Sequence, residues 1–124
     1  MTNARQTLGQ RGEHYAAQYL TARGYTLRER NWRCTVGEID LVAEKDGVLI
    51  FVEVRTRRGD RLGTPEESIT PAKRVKLIAA AQTYLDEHGQ LDRDWRIDVV
   101  AIEIDPRGAV KRCTLIENAV EETG

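Results

Sequence analysis

The sequence predicts an α/β fold with its elements in the order α-β-β-β-α-β-β. Three observations predict it: two segments with helical spacing and their own start or stop signals, an Asp-Gly turn joining two β-rich runs between them, and two further strand-like runs after the second helix. From Thr7 to Arg23, the apolar residues Leu8, Tyr15, Ala16, Tyr19 and Leu20 recur at helical spacing, and Gly24 supplies the stop. Residues 25–34 alternate in stretches and read as a strand with its arginines mainly on one side. Runs at 38–44 and 48–56 follow, separated by Lys45-Asp46-Gly47, and Asp-Gly between two such runs is a strong hairpin signal. Residues 57–69 are polar, contain Gly59, Gly63 and Pro65, and are expected to form a mobile loop able to close over a ligand. Thr70 as N-cap and Pro71 at the first helical position open the second helix. Its buried stripe is expected to be Val75, Leu77, Ile78, Ala81, Tyr84 and Leu85, and Gly89 ends it. Residues 95–105 form a strand with a fully apolar middle, Pro106-Arg107-Gly108 turns, and the last strand runs around 110–116. The acidic tail from Glu117 is expected to fray.

A chain of 124 residues has room for a single domain, expected to span 1–124 with its core within 7–116. Leu, Ile, Val and Phe together number 29, enough apolar material to exclude an intrinsically disordered chain. The longest uncharged, mostly apolar run is only Gly47 to Val52, and Met1-Thr2-Asn3-Ala4-Arg5 lacks the apolar segment of a signal peptide. A soluble cytoplasmic protein with no membrane partner is the expectation. Cys34 and Cys113 belong to no Cys/His cluster, so neither a zinc site nor a disulfide scaffold is indicated, and both read as thiols buried in strands.

The net charge of −1 excludes a uniformly basic nucleic-acid coat but hides a pattern. Residues 1–36 carry +4, 37–54 carry −4, 55–85 carry +4 and 86–124 carry −5. An acidic centre between basic stretches suits a metal-dependent enzyme acting on phosphodiesters, since carboxylates hold cations and Arg or Lys holds the polyanion. Ordinary solvated charge is the alternative.

The acidic centre acquires geometry from the hairpin. With Asp46-Gly47 as a two-residue turn, Lys45 faces Val48, and continuing the register brings Asp40 opposite Glu53 and Glu38 opposite Arg55. Glu38, Asp40, Glu53 and Arg55 then share one face, while Ile39, Leu41, Ala43, Val48, Ile50, Val52 and Val54 share the other. Two carboxylates opposed at roughly 5 Å between Cβ atoms repel unless a cation or a proton lies between them. A divalent metal resolves that conflict, and Mg²⁺ commonly uses one or two carboxylates plus a substrate phosphate. A salt-bridge cluster in which Arg55 and Arg57 bridge the acids is the competing reading.

Asp40 followed by Glu53-Val54-Arg55 resembles the D…E-x-K signature of the PD-(D/E)xK nuclease superfamily, the restriction-endonuclease-like fold that includes archaeal Holliday junction resolvases. A more specific set of blocks is similar to the YraN family of bacterial proteins: Gly12-Glu13 with Ala16, Tyr19 and Leu20, then Gly37-Glu38-Ile39-Asp40-Leu41, Phe51 through Arg57, Pro65-Glu66-Glu67, Thr70-Pro71 with Lys73, and Ala80-Ala81-Gln82 with Tyr84-Leu85. The resemblance spans residues 8–104. It implies a restriction-endonuclease-like domain, a mixed central sheet flanked by helices.

By the same resemblance Asp40 and Glu53 would ligate Mg²⁺ or Mn²⁺, and Glu13 would be the additional acid near the metal. Glu38 either touches metal or pairs with Arg55. Gln82 and Tyr84 lie where some superfamily nucleases carry a glutamine-tyrosine motif, with core packing of Tyr84 as the alternative. Arg55 stands where the superfamily usually has lysine. A guanidinium stays protonated and is no general base, but it can orient a water or stabilise charge on phosphorus. Arg57 and Arg58, and Lys73, Arg74 and Lys76 at the start of the second helix with its positive dipole end, are candidate phosphate contacts, with a plain solvated face as the alternative for the helix residues. His14 and His88 are isolated, Asp98 is a supporting acid or a partner of Arg96, and Trp32 and Trp95 read as packing residues. The expected function is a metal-dependent endonuclease acting on branched or structured DNA, with DNA favoured over RNA and a twofold homodimer suited to cutting two strands. The alternatives are a non-catalytic nucleic-acid-binding module on the same fold and a structural protein whose acids are only salt-bridged.

Overall fold

The computed structural model of the chain describes residues 7–59 and 69–120. Its elements are α1 (Leu8–Ala22), β1 (Thr26–Cys34), β2 (Gly37–Lys45), β3 (Val48–Arg58), α2 (Pro71–Glu87), β4 (Trp95–Ile104) and β5 (Val110–Ile116). This is the expected order, and the five strands form one mixed sheet in spatial order β1-β2-β3-β4-β5. Neighbours are antiparallel except β3 and β4, which run parallel because α2 carries the chain back across the sheet.

Both helices start on side-chain caps. Thr7 accepts the N–H of Gln10 while the Gln10 side chain accepts the N–H of Thr7, a reciprocal capping box, and Thr70 caps α2 through the N–H of Lys73 ahead of Pro71. The β2–β3 hairpin turns on Asp46 (φ 52°) and Gly47 (φ 79°), the two positive φ values that a tight hairpin turn demands. Its register runs from Lys45 opposite Val48 to Leu41 opposite Val52, as the Asp-Gly turn predicts.

Each face of the sheet carries its own apolar cluster. Ala16, Ala17 and Leu20 of α1 pack on Leu41, Ala43, Ile50, Val52, Val100 and Ile102. Leu77, Ala80, Ala81, Tyr84 and Leu85 of α2 pack on Ile39, Val42, Leu49, Phe51 and Ile97. Three expectations are corrected here. Val75 is 67% exposed, because its place two positions before Leu77 puts it about 200° around the helix axis. Ile39 lies on the α2 side with Val42 and not with Leu41. The alternation breaks at Asp40; on β1, Asn31 takes a left-handed φ of 52° between the pairs Arg30–Leu41 and Trp32–Ile39. Residues 117–120 are docked: the N–H of Asn118 donates to Asp98, the N–H of Ala119 donates to the Ile97 carbonyl, and Val120 is buried.

Cys34 and Cys113 are free thiols in strands but only half-buried. Of the segment expected as a loop, Arg57 and Arg58 belong to β3, and residues 60–68 lie outside the described residues. No helix among the described residues is long and apolar enough to cross a membrane.

Candidate active site

Glu53 sits in the middle of β3, flanked by β2 and β4 and facing Val99 of the parallel ladder, so the sheet itself desolvates it. It is 3% exposed and Asp40 is 8% exposed. Past the Leu41–Val52 pair the Asp40 side chain takes over from the backbone ladder: its Oδ2 accepts the N–H of Val54 at 2.8 Å. That bond turns the Asp40 carboxyl into the gap between the strands and toward Glu53. On the other side Glu53 Oε2 lies 3.4 Å from Arg55 Nη1 and 3.6 Å from Lys73 Nζ at the start of α2.

These neighbours set the protonation of the pair. Burial, then the Asp40 charge, then a hydrogen bond with the Asp40 side chain push the Glu53 carboxyl up to about 8, against the opposing pull of Lys73 and Arg55. Two cations at 3.4 and 3.6 Å do not offset burial plus a facing acid. Without another positive charge nearby, the Glu53 carboxyl therefore leans toward its protonated form at neutral pH.

Glu13 joins the same field from α1. The helix can approach because Gly12 has no side chain: a Cβ there would overlap Thr56 Oγ1 on β3. Burial first, then the Asp40 charge, raise the Glu13 carboxyl above its ordinary range, while a hydrogen bond with Asn31 opposes the rise. Asn31 gives no functional signal in the sequence beyond its residue type, one that tolerates left-handed φ.

Among the described residues no group of three or more His, Cys, Asp or Glu side chains is arranged to hold a metal ion. The donor set on offer is thus two carboxylates, Asp40 and Glu53, with Glu13 set apart. Two hard carboxylate oxygen donors on neighbouring strands fit a hydrated Mg²⁺ or Mn²⁺, which completes its shell with water or phosphate oxygen.

The other expected residues divide. Lys73 is within the site as an ion-pair partner of Glu53, a role no spacing rule reveals because the two lie 20 positions apart in sequence. Glu38 is turned toward β1, where it pairs in register with Arg33 and forms an ion pair with it at 3.2 Å, so it does not oppose Arg55. The ladder between β2 and β3 has ended before Glu38 is reached, which frees it for the β1 partner. Arg57 and Arg58 extend β3 beside Glu103 and Ile104 of β4, and Arg74 is exposed on the first turn of α2. Gln82 is exposed on α2, whereas Tyr84 is core, edge-on to Trp32 and Phe51. Burial, with Glu29 beside it, pushes the Tyr84 hydroxyl up to about 12. His14 is exposed, and His88 stacks on Tyr84 with its Nδ1 2.8 Å from the Tyr84 carbonyl oxygen, a helix-end contact. Asp98 is held by Arg96.

Residues 12–102, which contain Glu13, Asp40, Glu53, Arg55 and Lys73, match the model of the Uncharacterised protein family UPF0102. A UPF0102 protein of Roseiflexus castenholzii is 50% identical over 123 residues, covering 98% of this chain and 99% of its own length. One from Symbiobacterium thermophilum is 50% identical over 112 residues, covering 90% and 94%, and one from Pelotomaculum thermopropionicum is 44% identical over 119 residues, covering 96% and 99%. The blocks similar to YraN proteins and the family match fall on the same stretch of sequence, and the chain belongs to the UPF0102 (YraN) family.

Proposed function

We propose that the protein is a metal-dependent nuclease that hydrolyses phosphodiester bonds, with branched or structured DNA as its substrate. The observation that carries this reading is the buried pair of acids Asp40 and Glu53 on neighbouring strands, with Arg55 and Lys73 beside Glu53. Asp40 and Glu53 would hold Mg²⁺ or Mn²⁺. A bound ion of this kind supplies a water of lowered pKa and neutralises charge on the phosphoryl oxygens.

The remaining work falls to the chain's own groups. The N–H of Val54 fixes the orientation of Asp40. Arg55 and Lys73 place two positive charges beside Glu53, where negative charge would build on the phosphorus oxygens. Arg55 stays protonated throughout, so it orients and stabilises and takes no proton. Glu13 on α1, raised above its ordinary range by burial and then by the Asp40 charge, would act as a further acid near the pair rather than as a ligand.

One observation favours a second reading. With a guanidinium where the nuclease superfamily usually places an amine, the same scaffold would grip nucleic acid without cutting it. A panel of linear, flap and four-way DNA incubated with Mg²⁺ or Mn²⁺ separates the two. The nuclease reading expects cutting that Asp40→Asn and Glu53→Gln abolish and that Arg55→Lys retains or raises. Cutting that survives both acid substitutions removes the pair from the chemistry; binding without any cutting establishes the second reading. An RNA panel and a sedimentation measurement check the expected preference for DNA and the twofold dimer.

A further inference from the structure

Beside the acid pair lies a cavity of about 460 Å³ lined by Arg33, Cys34, Glu38, Lys73, Lys76 and Leu77. It sits between the β1–β2 turn and the first turns of α2, and none of the relatives' names assigns it a role. We propose that this cavity is a subsite for the phosphate and sugar of a single nucleotide, adjoining the Asp40–Glu53 pair. The proposal rests on the nucleic-acid reading of that pair and adds the part of the substrate strand that is gripped next to it.

Size, charge and connection argue for it. The volume falls in the range of small-ligand sites and exceeds what one ion needs. Three cations line the cavity against one carboxylate; Glu38 is engaged by Arg33 at 3.2 Å and Lys73 is shared with Glu53 at 3.6 Å, so Lys76 and the shared Lys73 leave the wall net positive. Such a wall repels metal cations and basic peptides and favours a phosphate.

Lys73 is the link: it lines the cavity and also reaches Glu53 Oε2 at 3.6 Å, so an anion in the cavity lies one side chain from the acids. Successive phosphates of one strand present just such a pair of neighbouring anions. Buried Leu77 and the half-buried Cys34, whose thiol donates to the Gly37 carbonyl at 3.4 Å, give the cavity an apolar floor against which a sugar or base edge can rest. A concave floor of this kind accepts a nucleotide that has left its stack, as at a strand end or a branch.

The test uses the full chain without metal and follows backbone amide shifts while thymidine 3′,5′-bisphosphate, thymidine or inorganic phosphate is titrated. The subsite expects saturable shifts from the bisphosphate at Cys34, Gly37, Lys73 and Lys76, and much weaker binding of thymidine and of inorganic phosphate. Lys76 is exposed and lies off the acid pair, so Lys76→Glu should fold normally and weaken the bisphosphate by at least about tenfold. Arg107→Glu, in the β4–β5 turn, should leave binding unchanged. Shifts that map elsewhere, unweakened binding by Lys76→Glu, or inorganic phosphate binding as tightly as the bisphosphate would each overturn the subsite. Cavity binding by a chain that cuts no DNA supports the subsite and defeats only the nuclease reading. Normal metal-dependent cutting with no bisphosphate shifts at the cavity defeats the subsite alone.

Discussion

Two buried acids on neighbouring strands, one ladder position apart, meet opposite fates. Asp98 of β4, which pairs with Val52, is fully buried and receives Arg96 Nε at 2.9 Å, the N–H of Asn118 at 2.9 Å and the Tyr25 hydroxyl at 3.2 Å. Glu53 of β3, which pairs with Val99, faces another acid, and its ion-pair partners Arg55 and Lys73 stand off at 3.4 and 3.6 Å. Glu103 follows the first pattern, with Arg112 Nε at 2.9 Å. Where the fold needs a buried carboxylate for its own integrity it supplies fixed donors, and where it leaves two acids facing one another it leaves a charge deficit that a ligand can fill.

The contrast predicts that the two acids respond in opposite ways when neutralised. The largest effect is expected from Asp98→Ala, which strands Arg96 and the N–H of Asn118: urea melts should show a loss of about 3–5 kcal/mol. If that variant is as stable as the parent, the Asp98 network is not structural and the contrast collapses. Next, divalent metal should stabilise the parent and not Glu53→Gln. Mg²⁺ at about 100 times its dissociation constant adds about 2.7 kcal/mol to a one-site protein, and equal stabilisation of the Glu53→Gln variant would place the ion elsewhere.

The pH dependence sharpens the same comparison. The Glu53 carboxyl rises from about 4.5 to about 8 on folding, so the folded chain binds that proton more tightly than the unfolded one. Its contribution to stability is full below about pH 4.5 and is lost as pH climbs through about 8. Melting temperature without metal should therefore fall across that window in the parent and flatten in Glu53→Gln. An equal slope in both would assign the titration to another group. The smallest effect is expected from Tyr25→Phe, which removes one of several donors to Asp98 and should cost about 1 kcal/mol in the same melts.

Much of this is legible in the chain alone, for reasons that are local. The Asp46-Gly47 turn dictates a register that every observed β2–β3 pair follows, and Thr70-Pro71 marks the start of α2 to the residue. The approach of Asp40 to Glu53 extends that register by one step. What escapes a reading of the sequence depends on contacts between distant segments. The left-handed Asn31 beside the break in alternation at Asp40, the turn of Glu38 toward Arg33, and the reach of Lys73 back to Glu53 depend on how β1 and α2 dock. The acidic composition of the tail hides its anchoring, because Asn118 and Ala119 dock through backbone N–H groups that side-chain chemistry does not reveal.

The seam between Gly12 and Thr56 has a consequence for how the third acid is held. What gauges the distance of α1 from β3 at this point is a missing methyl. Any bulkier residue at position 12 would act as a shim that lifts the helix and withdraws Glu13, so a change remote from every charged atom would move the third acid while sparing Asp40 and Glu53 themselves.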